Sequence, residues 1–172
     1  MPGCELLSLC DAGKSLALLS APQRDAVVDR YLNQAATWAT VTPMVLPGYD
    51  DPDHYRRRLE RGLDGARQKN LLNRLDVRID GLIRKAIVQA GVPSVLAMRA
   101  LIDWRSSGFF AGVDLAGRYA MPDYLKRFTR VHVRIEWRDA RGRSLPIRGP
   151  ICLGGGRFFG LGLFACVSQN DA

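Results

Sequence analysis

Two histidines, His54 and His132, are the side chains of this sequence that titrate near neutrality without help from their surroundings. His54 stands in the string Asp51-Pro52-Asp53-His54-Tyr55-Arg56-Arg57-Arg58. Asp51 followed by Pro52 reads as a helix N-cap and first helical position. A proton-exchanging imidazole, the phenol of Tyr55 and three guanidiniums therefore share the opening turns of one helix. Amides at a helix N-terminus attract phosphate, and cations offset charge that develops on it. The set suits acid–base work on a phosphoester, with His54 as base or acid and Tyr55, Arg56 and Arg57 as helpers. The plain alternative is a solvated first-turn histidine in a charged segment. His132 lies on the polar face of an alternating strand beside Arg134, either as a nucleic-acid contact or as an ordinary cross-strand polar residue.

The wider composition favours a polyanionic partner. The chain has 172 residues, which suits one domain with or without an appendage, and a net charge of +8. Lys14, Lys69, Lys85 and Lys126 are its lysines; the other basic residues are arginines. Arginine grips phosphate in bidentate fashion and stacks on bases, although a GC-rich genome produces the same bias. The stretch from Arg56 to Lys85, with Arg58 and Lys69 in it, is a phosphate-tracking face or a solvated one laced with i,i+4 pairs. Phe109, Phe110, Tyr119 and Tyr124 lie among Arg105, Arg118, Lys126 and Arg127, a mixture that suits stacking on unpaired bases or burial in a core. No run approaches the roughly 18 apolar residues of a membrane helix. No basic residue precedes the apolar run Leu6 to Cys10, which argues against a signal peptide. Four scattered cysteines without a C-x-x-C pair read as reduced thiols of a cytoplasmic protein. No phosphate-loop, metalloprotease or serine-hydrolase motif is present, and we expect neither metal nor organic cofactor.

The elements that must position these residues follow from periodicity. Residues 5–19 read as two strands around Asp11-Ala12-Gly13, and 22–34 as a short helix with Ser20 as N-cap. Residues 36–46 read as a strand that Pro43 makes an edge or bulges. Leu75, Ile79, Leu82, Ile83, Ala86, Ile87 and Ala90 recur at helical spacing, and Gly62, Gly65 and Gly81 divide 52–90 into one helix or two. Residues 95–104 read as a strand, 105–129 as a long mobile connection, 130–137 as a strand and 158–167 as the last strand. The order fits an α+β, ferredoxin-like (RRM-like) unit whose second helix is reduced. The N-terminal 1–35 would pack on a main domain of 36–172.

Between Ile147 and Val167 six glycines fall within 14 positions: Gly149, Gly154, Gly155, Gly156, Gly160 and Gly162. Glycine permits close backbone approach to a phosphate or base, and Arg148 and Arg157 bracket the loop as clamps. A tight link before an edge strand uses glycine equally well. The string R-G-P-x-x-L-G-x-G-R-x-x-G-x-G-L-F (148–164) resembles the C-terminal glycine-rich loop of the CRISPR RAMP superfamily. Together with W-x-T-V-T-P-x-V-L-P-G (38–48) and R-V-H-V-R (130–134), it is most similar to repeat-RNA processing subunits, in particular the processing half of the fused five–six Cas subunit of type I-G systems.

The resemblance covers residues 38 to 167. It implies a ferredoxin-like RAMP fold and recognition of CRISPR repeat RNA. It further implies metal-independent cleavage by 2′-hydroxyl attack, and retention on the crRNA beside the backbone and Cas-five-like subunits of an effector complex. The residues read here as RNA contacts are Arg58, Lys69, His132, Arg134, Arg148, Gly154, Gly155, Gly156 and Arg157. Relatives often carry a catalytic histidine near His54. Many carry another directly after the loop arginine, where this chain has Phe158. Two further readings stand: a non-catalytic crRNA-binding subunit of the same assembly, and a general RRM-like structural RNA-binding protein.

Overall fold

Val131, Val133 and Ile135 alternate with polar neighbours, and that pattern builds the strand around which the sheet is laid. The computed structural model describes residues 6–11, 14–19, 26–49, 62 and 64–168. In chain order the elements are strands β1 (Leu6–Asp11) and β2 (Lys14–Leu19), helix α1 (Ala26–Leu32), and strands β3 (Gln34–Ala35), β4 (Thr37–Thr40) and β5 (Met44–Tyr49). Helix α2 (Gly65–Gln89), helix α3 (Ser94–Arg99), β6 (Leu101–Arg105) and β7 (Phe128–Glu136) follow. The chain closes with β8 (Ile147–Arg148), β9 (Ile151–Cys152) and β10 (Leu163–Cys166).

The main sheet runs β6, β7, β4 with β5, β10, β9, and every neighbouring pair is antiparallel. If β4–β5 is taken as the first strand of a βαββαβ unit, β6, β7 and β10 are the second, third and fourth. The order fourth, first, third, second is that of a ferredoxin-like fold, as expected. Between β7 and β10 the second helix has shrunk to one 3-10 turn, Arg157–Phe159. β1 and β2 pair with each other in register from Leu6↔Leu19 to Asp11↔Lys14. β3 pairs with β8, and α1 lies against β10.

One face of the sheet and helix α2 share the core. Trp38, Met44, Leu46, Val131, Val133, Ile135 and Phe164 meet Ile79, Leu82, Ile83, Ala86 and Ile87 there. The helix starts at Asp64, whose carboxylate accepts the Arg67 backbone N–H at 2.8 Å. Gly81 falls on the exposed face, so the helix continues through it. Gly48 lies opposite: a Cβ there would sit 2.8 Å from a Leu82 methyl, so the Leu82 side chain packs onto the β5 backbone. The proposed start at Asp51 and Pro52 lies outside the described residues.

Several element assignments change, among them the last strand, which begins at Leu163 rather than at 158. Residues 95–104 are not one strand but α3 followed by β6. A short apolar run does not distinguish strand from helix by period. The Pro93 carbonyl accepts from Leu96 and Ala97 at 3.0 Å each and closes a helical turn, which buries Ala97. The strand expected at 36–46 is broken at Val41–Pro43. From Ala39 to Met44, five steps along β4–β5 oppose three along β7, from Arg134 to Val131, so the proline marks a bulge. The connection 106–127 contains two 3-10 turns and buries Ala116 and Leu125. It is packed onto the protein rather than free.

Arg84 fastens α2 to α3. Its guanidinium makes two hydrogen bonds to Asp80, at 2.6 and 3.0 Å, and donates to the carbonyls of Ala97 and, at 3.2 Å, Ala100. Those carbonyls end α3, where helical partners run out. Arg84→Ala is expected to cost about 2 kcal/mol, the range for charged hydrogen bonds. A thermal melt should show Tm lowered by about 4–8 °C; an unchanged melt would mean that α3 holds its place by packing alone.

Candidate nucleic-acid interface

The glycine-rich loop is built onto the bulge. Beyond Val41, whose N–H donates to Leu163 at 2.9 Å, β10 no longer accompanies the first strand. The loop replaces it. Gly162 N–H donates to the Pro43 carbonyl at 2.9 Å and Gly155 N–H to the Val45 carbonyl at 2.8 Å. The Thr42 hydroxyl donates to the Gly160 carbonyl at 2.7 Å and accepts from Leu163 N–H at 3.1 Å. Leu153 N–H donates to Gly162 at 2.9 Å and ties the base of the loop. The W-x-T-V-T-P string and the glycine-rich string are thus one structural unit.

This construction uses most of the glycines internally. A Cβ on Gly162 (φ +73) would lie 1.9 Å from the Leu153 carbonyl oxygen, and one on Gly154 (φ +89) 2.5 Å from that of Val45. Gly156 (φ +74) faces Leu161 and Leu125 side chains at 2.8 and 3.1 Å. Their backbones approach the protein itself. Gly155 and Gly160 have room; nothing lies within 4 Å of a Cβ on Gly160. The turn between them carries exposed Arg157, Phe158, which is 100% exposed, and Phe159, 56% exposed. Tyr124 meets Phe159 edge to face at 6.4 Å.

The other candidates are dispersed. Arg148 is exposed in β8, and Lys69 is exposed in the second turn of α2. Arg134, on the sheet face away from α2, pairs with Asp103 at 2.9 Å. The Phe109 ring there has the Arg105 guanidinium at 4.0 Å and that of Arg134 at 5.3 Å. His54, Tyr55, Arg56, Arg57 and Arg58 lie outside the described residues. Sequence reasoning missed Phe158 and Phe159 because they open an apolar run that reads as strand. The signal was available in the flanking glycines: positive φ at Gly156 and Gly160 turns the segment outward before the strand begins.

His132 is placed differently from its sequence expectation. It is on the polar face of β7, but the 106–127 connection covers it and it is fully buried. Its Nε2 lies 3.0 Å from the Asp114 carbonyl, which can only accept, so Nε2 carries the proton. Nδ1 then accepts from the Thr40 hydroxyl at 3.0 Å, and that hydroxyl accepts from Val133 N–H at 2.9 Å. Every polar atom of the imidazole is engaged, and none faces a ligand. Burial pushes its pKa below 6.5; the Asp114 and Thr40 hydrogen bonds oppose the shift, and the Arg105 charge adds to it.

A histidine with a lowered folded pKa binds its proton more readily in the unfolded chain. Its contribution to stability is therefore present above 6.5 and lost as pH falls below that value. The stability advantage of the parent protein over His132→Asn should narrow between about pH 7 and about pH 5 in urea unfolding. A constant difference would show that His132 does not titrate on unfolding. The glycines predict a graded series. Gly162→Ala should cost more than about 3 kcal/mol, since strain and backbone collision add, and Gly160→Ala about 1–2 kcal/mol from its left-handed φ alone. Equal effects in denaturant titrations would contradict the packing of the loop on Pro43 and Val45.

Among the described residues, no helix is long and apolar enough to cross a membrane. No curated protein and no solved structure matches this chain. A family model does match, over residues 7–166, and its span contains the bulged strand, α2, the buried histidine and the whole glycine-rich loop. With nearly its entire length matched, the chain belongs to the CRISPR-associated protein, GSU0054 family.

Proposed function

We propose that this CRISPR-associated protein binds CRISPR repeat RNA and cleaves it without a metal ion, by attack of a ribose 2′-hydroxyl on the adjacent phosphorus. The observation that supports it best is the loop tip. A backbone locked at Pro43, Val45 and Leu153 holds Arg157 outward beside exposed aromatic rings, on a chain of net charge +8. Guanidinium next to aromatic faces is the combination that takes phosphate and unpaired base together. In the reaction a base removes the 2′-hydroxyl proton, the O2′–P bond forms, the P–O5′ bond breaks and the leaving oxygen takes a proton. The products are a 2′,3′-cyclic phosphate and a 5′-hydroxyl.

His132 is buried with both nitrogens engaged, so His54 is the histidine we assign to base or acid, with Tyr55, Arg56 and Arg57 beside it in sequence. Arg58, Lys69, Arg134, Arg148 and Arg157 would hold the RNA, with the Gly154–Gly156 backbone fixing the turn that presents Arg157. In this reading residues 36–172 form the RNA-binding domain, 1–35 pack on it, and other CRISPR effector subunits are partners. A second reading, a crRNA-binding subunit without catalysis, draws on Phe158, which stands where the resemblance often places a histidine.

Single-turnover cleavage of repeat RNA distinguishes them. His54→Ala should lose about 10²–10⁴-fold in rate while still binding, cleavage should persist in EDTA, and RNA with a 2′-deoxy nucleotide at the cut site should resist. Binding should weaken steeply as KCl rises, through counterion release at the phosphate contacts. Binding without cleavage by the parent protein would select the second reading. Absence of binding even at low salt would sink both.

A further inference from the structure

Phe158 is a large aromatic side chain that the protein leaves entirely to solvent, at 100% exposure. Hydrophobic burial alone would draw such a ring inward. The backbone holds it out instead. Gly156 and Gly160, both at φ +74, cap the 3-10 turn on either side. The Gly160 carbonyl is tied to the Thr42 hydroxyl, and Phe159 N–H donates to Gly156 at 2.8 Å. The ring is therefore presented on a pinned turn rather than on a loose loop.

Its surroundings specify the occupant. Arg157 precedes it, exposed and paired with no carboxylate among the described residues. From Ile147 to Ser168 the chain has two arginines and no acidic residue. On the neighbouring turn, Asp123 is neutralised by Lys126 at 2.6 Å, and Tyr124 braces Phe159 edge to face. Gly160 leaves open space beside the turn, where a flat ligand can lie against the backbone. An apolar protein segment would gain nothing from the bare guanidinium. A nucleotide satisfies both groups, with its base on the ring and its phosphate on the cation.

We propose that Phe158 is a stacking platform for an unpaired nucleobase of bound RNA, with Arg157 holding the phosphate next to that base. This rests on the RNA-binding reading above and adds a contact that tolerates any base, since every base offers a π face. Full exposure means that substitution at Phe158 removes no internal contact, so the variants should fold.

The test measures anisotropy of fluorescein-labelled oligouridine RNA, and of the same length carrying abasic riboses, with full-length protein. Phe158→Ala should weaken oligouridine binding about 5- to 100-fold and abasic binding hardly at all. Phe158→Trp should restore it, and Phe158→Leu, apolar without a π face, should not. The salt dependence should be unchanged in Phe158→Ala and shallower in Arg157→Ala. Unchanged oligouridine affinity in Phe158→Ala, with normal binding by the parent, overturns the platform and leaves the RNA-binding reading standing. Loss of assembly with other CRISPR subunits at unchanged RNA affinity would overturn it too, and give the ring to a protein partner. A parent protein that binds no RNA overturns both proposals.

Discussion

The candidate interface depends on one interruption in the sheet, the step at Val41–Pro43. A proline has no N–H to give to a ladder, and here the residues around it redirect the hydrogen bonds of the first strand. On the β4 side, the strand is flanked by β7 and β10. On the β5 side, it keeps β7 but exchanges β10 for the glycine-rich loop, through the carbonyls of Pro43 and Val45. The loop is in effect an irregular continuation of the sheet. Buried backbone groups must find partners, and the loop's close approach is how those of the bulged strand find theirs.

The two threonines that flank Val41 divide the work. Thr42 turns to the loop, where its hydroxyl bridges Gly160 and Leu163. Thr40 turns the other way, accepting from Val133 N–H and donating to His132. His132 in turn donates to Asp114 and so fastens the 106–127 connection over the centre of the outer sheet face. Tyr119 from that connection reaches back to the Val41 carbonyl at 3.1 Å. One short string therefore anchors both long irregular segments of the chain, which fixes the loop tip relative to the sheet. A site whose backbone is ordered beforehand loses less entropy when it takes a ligand.

This arrangement separates two roles that the loop's composition had merged. Gly154, Gly156 and Gly162 allow the loop to pack against β5, against Leu161 and Leu125, and against its own base at Leu153, where a Cβ would crowd backbone or side chains. Contact with a ligand falls instead to what the turn lifts out of that packing: Arg157, the two phenylalanines and the open backbone at Gly160. The outer face of the sheet contributes a second cation–aromatic group, Arg105 and Arg134 around Phe109, at its uncovered margin.

How much of this was legible beforehand follows from the range of each interaction. Periodicity in Leu75–Ile87 and alternation in Val131–Ile135 report which side of an element meets apolar surroundings, and those elements formed where expected. The strand–helix–strand–strand order with a missing second helix is likewise a property of element spacing, so the ferredoxin-like topology was readable. Pro43 announced its bulge because a missing N–H acts locally. The sequence could not show that Val95–Arg99 would coil, since a short apolar run satisfies both periods until Arg84 and the Pro93 carbonyl close on it. Nor could it show that His132, on a nominally polar face, would be roofed by a segment around twenty residues earlier in the chain; burial is set by what packs above a strand, and strand alternation is silent on that. The glycines stated that close approach would occur, and left open whether to a phosphate or to the chain itself. Only the tertiary structure decided, because the atoms that fill the space beside Gly154 and Gly162 come from β5 and from the loop's own far end.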